Sequence, residues 1–359
     1  MKKQCVVFIL LMFTCLGSIA QAQKTIISGT VTDKESGEPL QSVGVYLSGT
    51  TSGGATNDKG AFSFKTDETG EFIFVASLIG YGRTSFRILI KPGENLEYDI
   101  KLAIEEIVLG EIVVTASNKE WENNFSHFRK FFLGIGRFSN NLSIVNPEVV
   151  SFNKSSDGKE LIALAKSPVV VRNPALGYRV EVDIIETRFN PFSGEGVYKV
   201  YSHFTELEPS SLSQARRWKK NRKKAYEGSS MHFFRSLEKG QIREEGFKII
   251  SQGEGFRKIK NPARFYYLFS DRWITTMDLY SFYELMDPPV IVGYKLWANN
   301  MDEVRNRNDL TYISYATKYP FFLVGESGYV HDPAFLLFEG KWGRERILLL
   351  LPSDYKPND

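Results

Sequence analysis

Between Ile27 and Leu102 apolar and polar positions alternate with a period of two. Ile27, Gly29 and Val31 alternate with polar neighbours, and Val43, Val45 and Leu47 repeat the pattern. Phe62 and Phe64 follow, then Phe72 and Phe74 beside Val75 and Ala76, then Leu96, Tyr98, Ile100 and Leu102. A period of two puts alternate side chains on one face of an extended strand. Turn chemistry separates the runs: Asp33 to Gly37, Asn57-Asp58-Lys59-Gly60, Gly70 and Lys91-Pro92-Gly93. Such residues tolerate the dihedrals of tight turns. Short strands at this spacing predict an all-β sandwich.

Past residue 117 the period changes. Trp121, Phe125, Phe128, Phe131 and Phe132 recur at spacings of three and four, which predicts a helix from Asn118 that ends at Gly134. Strand patterns return at Val149 to Phe152 and Leu161 to Leu164, around the hairpin signal Ser155-Ser156-Asp157-Gly158. Tyr178 to Phe189 reads as one long strand, and Tyr198, Val200 and Phe204 mark another. A second long helix is expected from Ser211 to about Leu237, with Leu212, Ala215, Trp218, Ala225, Phe233 and Leu237 on its inner side. Val290 to Leu296, Leu310 to Ser314 and Phe321 to Val324 alternate or run apolar, and Trp342 to Leu351 is a buried-looking close. The expected architecture is a β-sandwich followed by an α+β domain with mostly antiparallel strands and two prominent helices.

The first residues read as a leader. Lys2 and Lys3 precede a short apolar stretch, Val6 to Met12 with Phe13, and Ala20-Gln21-Ala22 fits a signal-peptidase site. Residues 1–22 are thus expected to be a signal peptide, cleaved before Gln23. Cys15 raises lipidation as a competing reading, although Thr14 and Met12 stand where that signal prefers a small residue and Leu. Both cysteines, Cys5 and Cys15, fall in the leader, so the mature chain would have no disulfide and would depend on burial. Lys and Arg number 45 against 42 Asp and Glu, a near balance that predicts no polyanion partner for the chain as a whole. The expected location is outside the cytoplasm, in the periplasm or at the outer membrane.

Five sequence pieces fall in order: Ile27-Ser28-Gly29-Thr30-Val31-Thr32-Asp33, Gly37-Glu38-Pro39-Leu40, Gly49-Thr50-Thr51, Thr56-Asn57-Asp58-Lys59-Gly60-Ala61-Phe62 and Ile79-Gly80-Tyr81. Together they resemble the carboxypeptidase-regulatory-like domain, a prealbumin-like sandwich widespread in exported proteins of Bacteroidetes-type bacteria. The resemblance implies that residues 24–102 are a packing or interaction module with none of the catalytic residues of zinc carboxypeptidases. Glu111 to Ala116 is similar to the segment after this module in TonB-dependent receptors. The roughly 240 residues left are too few for a plug and a barrel, so 103–117 reads as a linker or joining strand. Trp121-Glu122, Asn173 to Tyr178, Arg217-Trp218 with Asn221-Arg222, and Gly340 to Arg346 resemble a family of Bacteroidetes exported proteins bearing the same module. That likeness implies architecture and no activity, leaving 118–359 as a domain of unknown function.

The most unusual local composition is Arg216, Arg217, Lys219, Lys220, Arg222, Lys223 and Lys224, seven basic residues within nine. At 3.6 residues per turn they are expected to wrap most of their helix. Three readings compete. The helix is solvated and balanced by Glu206, Glu208, Glu244 and Glu245; or it meets phosphate-rich glycolipid or anionic lipid headgroups; or it binds nucleic acid. Export and the few interleaved aromatics argue against the last.

For catalysis, His203-Phe204-Thr205-Glu206 fits the His-x-x-Glu of zinc carboxypeptidases, with His331 as a downstream ligand. That family's general-base Glu lies well beyond its last zinc His, whereas Glu339 and Glu345 lie too close behind His331. His203 also continues a strand alternation with Tyr201, which reads as a surface or edge histidine. No Gly-x-Ser-x-Gly elbow, His-Glu-x-x-His or phosphate loop is present. The expected function is non-catalytic: an exported envelope protein offering binding or assembly surfaces to outer-membrane proteins, glycans or anionic envelope lipids, with no cofactor and no nucleic acid. The alternative is a hydrolase, either a divergent zinc carboxypeptidase or a carboxylate-based glycosidase.

Overall fold

The computed structural model describes residues 24–105, 118–250, 255–260, 280–286, 288–296, 301–315, 321–325, 328, 330–331 and 336–357. The expected leader and residues 106–117 of the joining segment lie outside the described residues.

Seven strands form the first unit: β1 (Thr25–Asp33), β2 (Gly44–Leu47), β3 (Gly53–Ala55), β4 (Ala61–Thr66), β5 (Gly70–Ser77), β6 (Thr84–Ile90) and β7 (Leu96–Leu102). They make two sheets, β4-β1-β7 and β3-β2-β5-β6. β1 runs antiparallel to β4 and parallel to β7. The period-two reading holds at side-chain level, since Phe62 and Phe64 of β4 face inward while Ser63 and Lys65 face out. They join Ile27, Val45, Phe72 and Phe74 in one core, and full burial of such a side chain stabilises by about 2 kcal/mol.

The next unit opens with helix α1 (Asn118–Leu133) and continues through β8 (Ser143–Ile144), β9 (Val150–Lys154), β10 (Leu161–Ala165), β11 (Val169–Asn173), β12 (Tyr178–Phe189) and β13 (Gly196–Glu206). These strands pair antiparallel in the order β8-β11-β12-β10-β9, with β13 on β12. The aromatic stripe of α1 packs on the sheet: the rings of Phe131 and Phe189 stack 4.4 Å apart.

Helices α2 (Leu212–Tyr226) and α3 (Ser230–Glu238) follow. After them come β14 (Phe247–Ile249), β15 (Phe256–Lys258), β16 (Tyr280–Leu285), β17 (Val290–Tyr294), β18 (Leu310–Tyr315), β19 (Phe322–Gly325), β20 (Val330–His331), β21 (Leu336–Gly340) and α4 (Lys341–Leu349). The strands form two antiparallel sheets, β14-β17-β18-β21 and β15-β16-β19-β20. The apolar side chains after residue 118 therefore divide between two clusters. One gathers around α1, β12 and Ile347 and Leu348 of α4; the other gathers around Phe233, Phe234, Val290 and Phe322.

The single helix expected over 211–237 is two. Gly228 sits at φ +77, and a Cβ there would lie 2.5 Å from the Tyr294 ring. The backbone turns at that point, and Ser229 caps α3 by accepting a hydrogen bond from the His232 N–H. Leu212, expected on the inner side, is 79% exposed.

The first two units meet edge to edge. The Gly49 N–H donates to Ser202 O at 2.7 Å and the Phe204 N–H donates to Thr50 O at 3.0 Å. The loop after β2 thus covers the outer edge of β13, which would otherwise offer unpaired backbone groups. The Ser353 N–H donates to Gly49 O at 2.7 Å, tying in the C-terminal tail.

Candidate functional site

The site is built on the turn between β11 and β12. Asn173 Oδ1 accepts from the Leu176 N–H at 3.1 Å, an Asx turn. Gly177 follows at φ +73, where a side chain would overlap the Trp218 ring. Glycine therefore lets α2 lie directly on the turn. The helix starts cleanly: Ser211 Oγ accepts from the Gln214 N–H, and Gln214 Oε1 accepts from the N–H and hydroxyl of Ser210.

The inner face of α2 then binds the carbonyls of the turn. Trp218 Nε1 donates to Pro174 O at 2.7 Å, Asn221 Nδ2 to Ala175 O at 2.9 Å and Arg222 Nε to Leu176 O at 2.7 Å. Arg222 also donates to Gly177 O and to Glu206 Oε1, and its guanidinium lies 4.0 Å from the centre of the Tyr178 ring. Only 14% of this side chain is exposed. Its donors are engaged, so Arg222 is a structural clamp.

The other six members of the basic run behave differently. Arg216, Arg217, Lys219, Lys220, Lys223 and Lys224 are all exposed. Among the described residues none of the six has an ion-pair partner; Glu206 pairs with Arg222 and Glu245 with His232. At 100° per residue the six fall within an arc of about 160°. The expectation that the run wraps most of the helix is thus corrected. One residue of the seven turns inward, and the rest share a single outer face, along with exposed Leu212.

A cleft of about 320 Å³ adjoins this face, enclosed by α2, the ends of β12 and β13, the loop after β2 and the C-terminal tail. Tyr178, Glu206, Lys219 and Arg222 line it with Thr51, Asp354 and Lys356. Asp354 accepts hydrogen bonds from the N–H and hydroxyl of Thr51. The tail is held from behind by Arg235, which donates to Tyr355 O at 2.9 Å and Ser353 O at 2.8 Å. Burial keeps the Tyr178 hydroxyl protonated, well above the usual phenol range.

The residues proposed for zinc do not share one sheet. His203 and Glu206 lie three apart on β13, hence on opposite faces, and His331 belongs to β20 in another sheet. His203 is neither a surface nor a free edge residue. Its ring lies 5.1 Å from that of Tyr46, its Nδ1 is out of contact with solvent, and burial lowers its pKa. Among the described residues no group of three or more His, Cys, Asp or Glu converges as metal ligands would. His232 is oriented by two bonds: its Nδ1 accepts from the Gly228 N–H at 3.1 Å and its Nε2 faces Glu245 Oε2 at 3.0 Å.

Thr51, Tyr178, Asp354 and Lys356 were not anticipated as site residues. They come from distant parts of the chain, and nothing local in the sequence joins them. Asn173–Tyr178 and the group Trp218, Asn221 and Arg222 were each singled out in the sequence, with no local sign that the two stretches meet.

Residues 27–114 match the family model of the CarboxypepD_reg-like domain. The match runs through β1–β7 and into the joining segment. Among solved structures, the chain is similar to a chain of a type II cohesin–X-dockerin complex from Acetivibrio cellulolyticus. Identity there is 17%, over 24% of this chain and 62% of that one, with a TM-score of 0.21. It is also similar to a Bacteroides uniformis protein to which carbohydrate binding is ascribed, at 11% identity over 54% and 81% of the two chains and a TM-score of 0.20. A DUF3823 family protein from Parabacteroides merdae shows 12% identity over 52% and 82%, with a TM-score of 0.17. Likenesses at this level carry nothing about chemistry. No curated protein matches the chain.

Proposed function

We propose that the chain is a non-catalytic exported protein of the cell envelope that binds anionic surfaces through the outer face of α2. The observation that supports this reading is the set of six exposed cations on one arc, without acidic partners among the described residues. A merely solvated basic helix would be expected to have its charges offset by neighbouring acids, and here the acid on β13 serves the inward arginine. Each cation held near an anionic surface is worth about 1 kcal/mol, so six on one face act together. The CarboxypepD_reg-like sandwich supports the same reading by bracing β13 and the tail beneath the helix.

The test is charge reversal at Arg217→Glu, Lys220→Glu and Lys224→Glu in one protein. Association with isolated envelopes at low salt is expected to fall by more than about tenfold, with an unchanged thermal melt because all three side chains are exposed. Undiminished association would mean that the face is ordinary solvated surface.

A further inference from the structure

We infer that the cleft beside α2 holds a phosphorylated saccharide, its phosphate between Lys219 and Lys356 and its hydroxyls toward Glu206 and Tyr178. This rests on the reading of α2 as an anion-binding face and names the ligand class. Lys219 connects the two features, since it belongs to the exposed cationic arc and also lines the cleft. Lys356 adds a second exposed ammonium from the tail. Among the described residues neither lysine has an ion-pair partner.

The uncharged part of the ligand is set by the remaining groups. Glu206 gives one oxygen to Arg222, and its side chain is 59% exposed, so the other oxygen is open to accept. Tyr178 lines the cleft, and its hydroxyl has no hydrogen-bond partner among the described residues. A cleft-lining hydroxyl that donates to no protein group is available to donate to a ligand oxygen. Inorganic phosphate alone would leave Glu206 and Tyr178 unused, and a neutral sugar would leave both ammonium charges without a counter-charge. The carboxylates of Glu206 and of Asp354, which accepts from Thr51, also repel phosphate and so restrict where it can sit. At about 320 Å³ the cleft has the size of a small-ligand site.

Two sources share this chemistry, a glycolipid headgroup and a free phosphorylated polysaccharide. Calorimetry on the full chain with phosphorylated mannan, unphosphorylated mannan and vesicles carrying lipid A covers both. Wild type is expected to prefer phosphorylated over plain mannan, or lipid A vesicles over vesicles of neutral lipid, by at least about tenfold. Lys219→Gln with Lys356→Gln should bring that preference close to one, and Tyr178→Phe should weaken binding severalfold while leaving the melt unchanged. Preference for the polymer assigns the free source, and preference for the vesicles assigns the lipid-borne one; either supports the inference. Absence of both preferences, or a preference that survives the paired lysine change, overturns it. If it survives that change yet disappears on charge reversal at Arg217, Lys220 and Lys224, the cleft is excluded while the cationic face stands as the binding surface.

Discussion

Two carboxylates govern the junction between the units at residue level. Glu68 is pushed up to about 7 by burial, with the charge of Asp354 adding to the effect and Arg235 opposing it. In the unfolded chain the same group ionises near 4.5. Folding therefore takes up a proton between these values, and stability from this group is lost as pH rises from 4.5 to 7. Glu68→Gln removes that loss. It should raise the urea midpoint at pH 8 by an amount equal to on the order of 2 kcal/mol and leave it unchanged at pH 4. His203 works in the opposite sense. Its lowered pKa means that protonation below about 6.5 costs stability. Asp183 receives hydrogen bonds from the Tyr46 hydroxyl and, at 3.1 Å, from Arg83 Nη1, and its own side chain is 5% exposed. Asp183→Ala leaves both donors without their acceptor, and the expected loss in urea unfolding is about 3 kcal/mol. None of these three roles was legible in the sequence. Each depends on a residue of one unit meeting a residue of another, and local patterns do not encode such meetings.

At the scale of the element, α2 separates what the chain discloses from what it conceals. The start of the helix at Ser211 was readable from its spacing, and β12 was readable to its end residues Tyr178 and Phe189, although its alternation slips at a bulge between Ile184 and Glu186. The break at Gly228 was not, since apolar spacing continues across it and only the Tyr294 ring explains the turn. The division of the basic run was hidden too. Charge counting treats Arg222 like its neighbours, whereas the carbonyls of the β11–β12 turn draw it inward. That difference is measurable. Arg222→Lys keeps the charge but loses the planar set of donors, and it should cost about 2 kcal/mol in denaturant unfolding. Lys223→Ala, one position away on the outer face, should stay within about 0.5 kcal/mol of wild type.

Across the whole molecule, the first sandwich and the antiparallel character of the later sheets could be read from alternation and turn residues. The division of the later residues into two cores could not, because α4 returns Ile347 and Leu348 to the core that α1 begins. The same return brings the tail into contact with the loop after β2 and with α3, completing the cleft beside the cationic face. The β-sandwich thus acts as a brace, and the binding surface we propose lies on α2, turned away from the cores. The most direct measurement of that claim is the affinity of the full chain for isolated envelopes as sodium chloride rises from about 50 to about 300 mM, where the screening length shortens about 2.5-fold. The account predicts a steep fall in affinity for wild type and a nearly flat response when Arg217, Lys220 and Lys224 are reversed. A wild-type affinity indifferent to salt would contradict it.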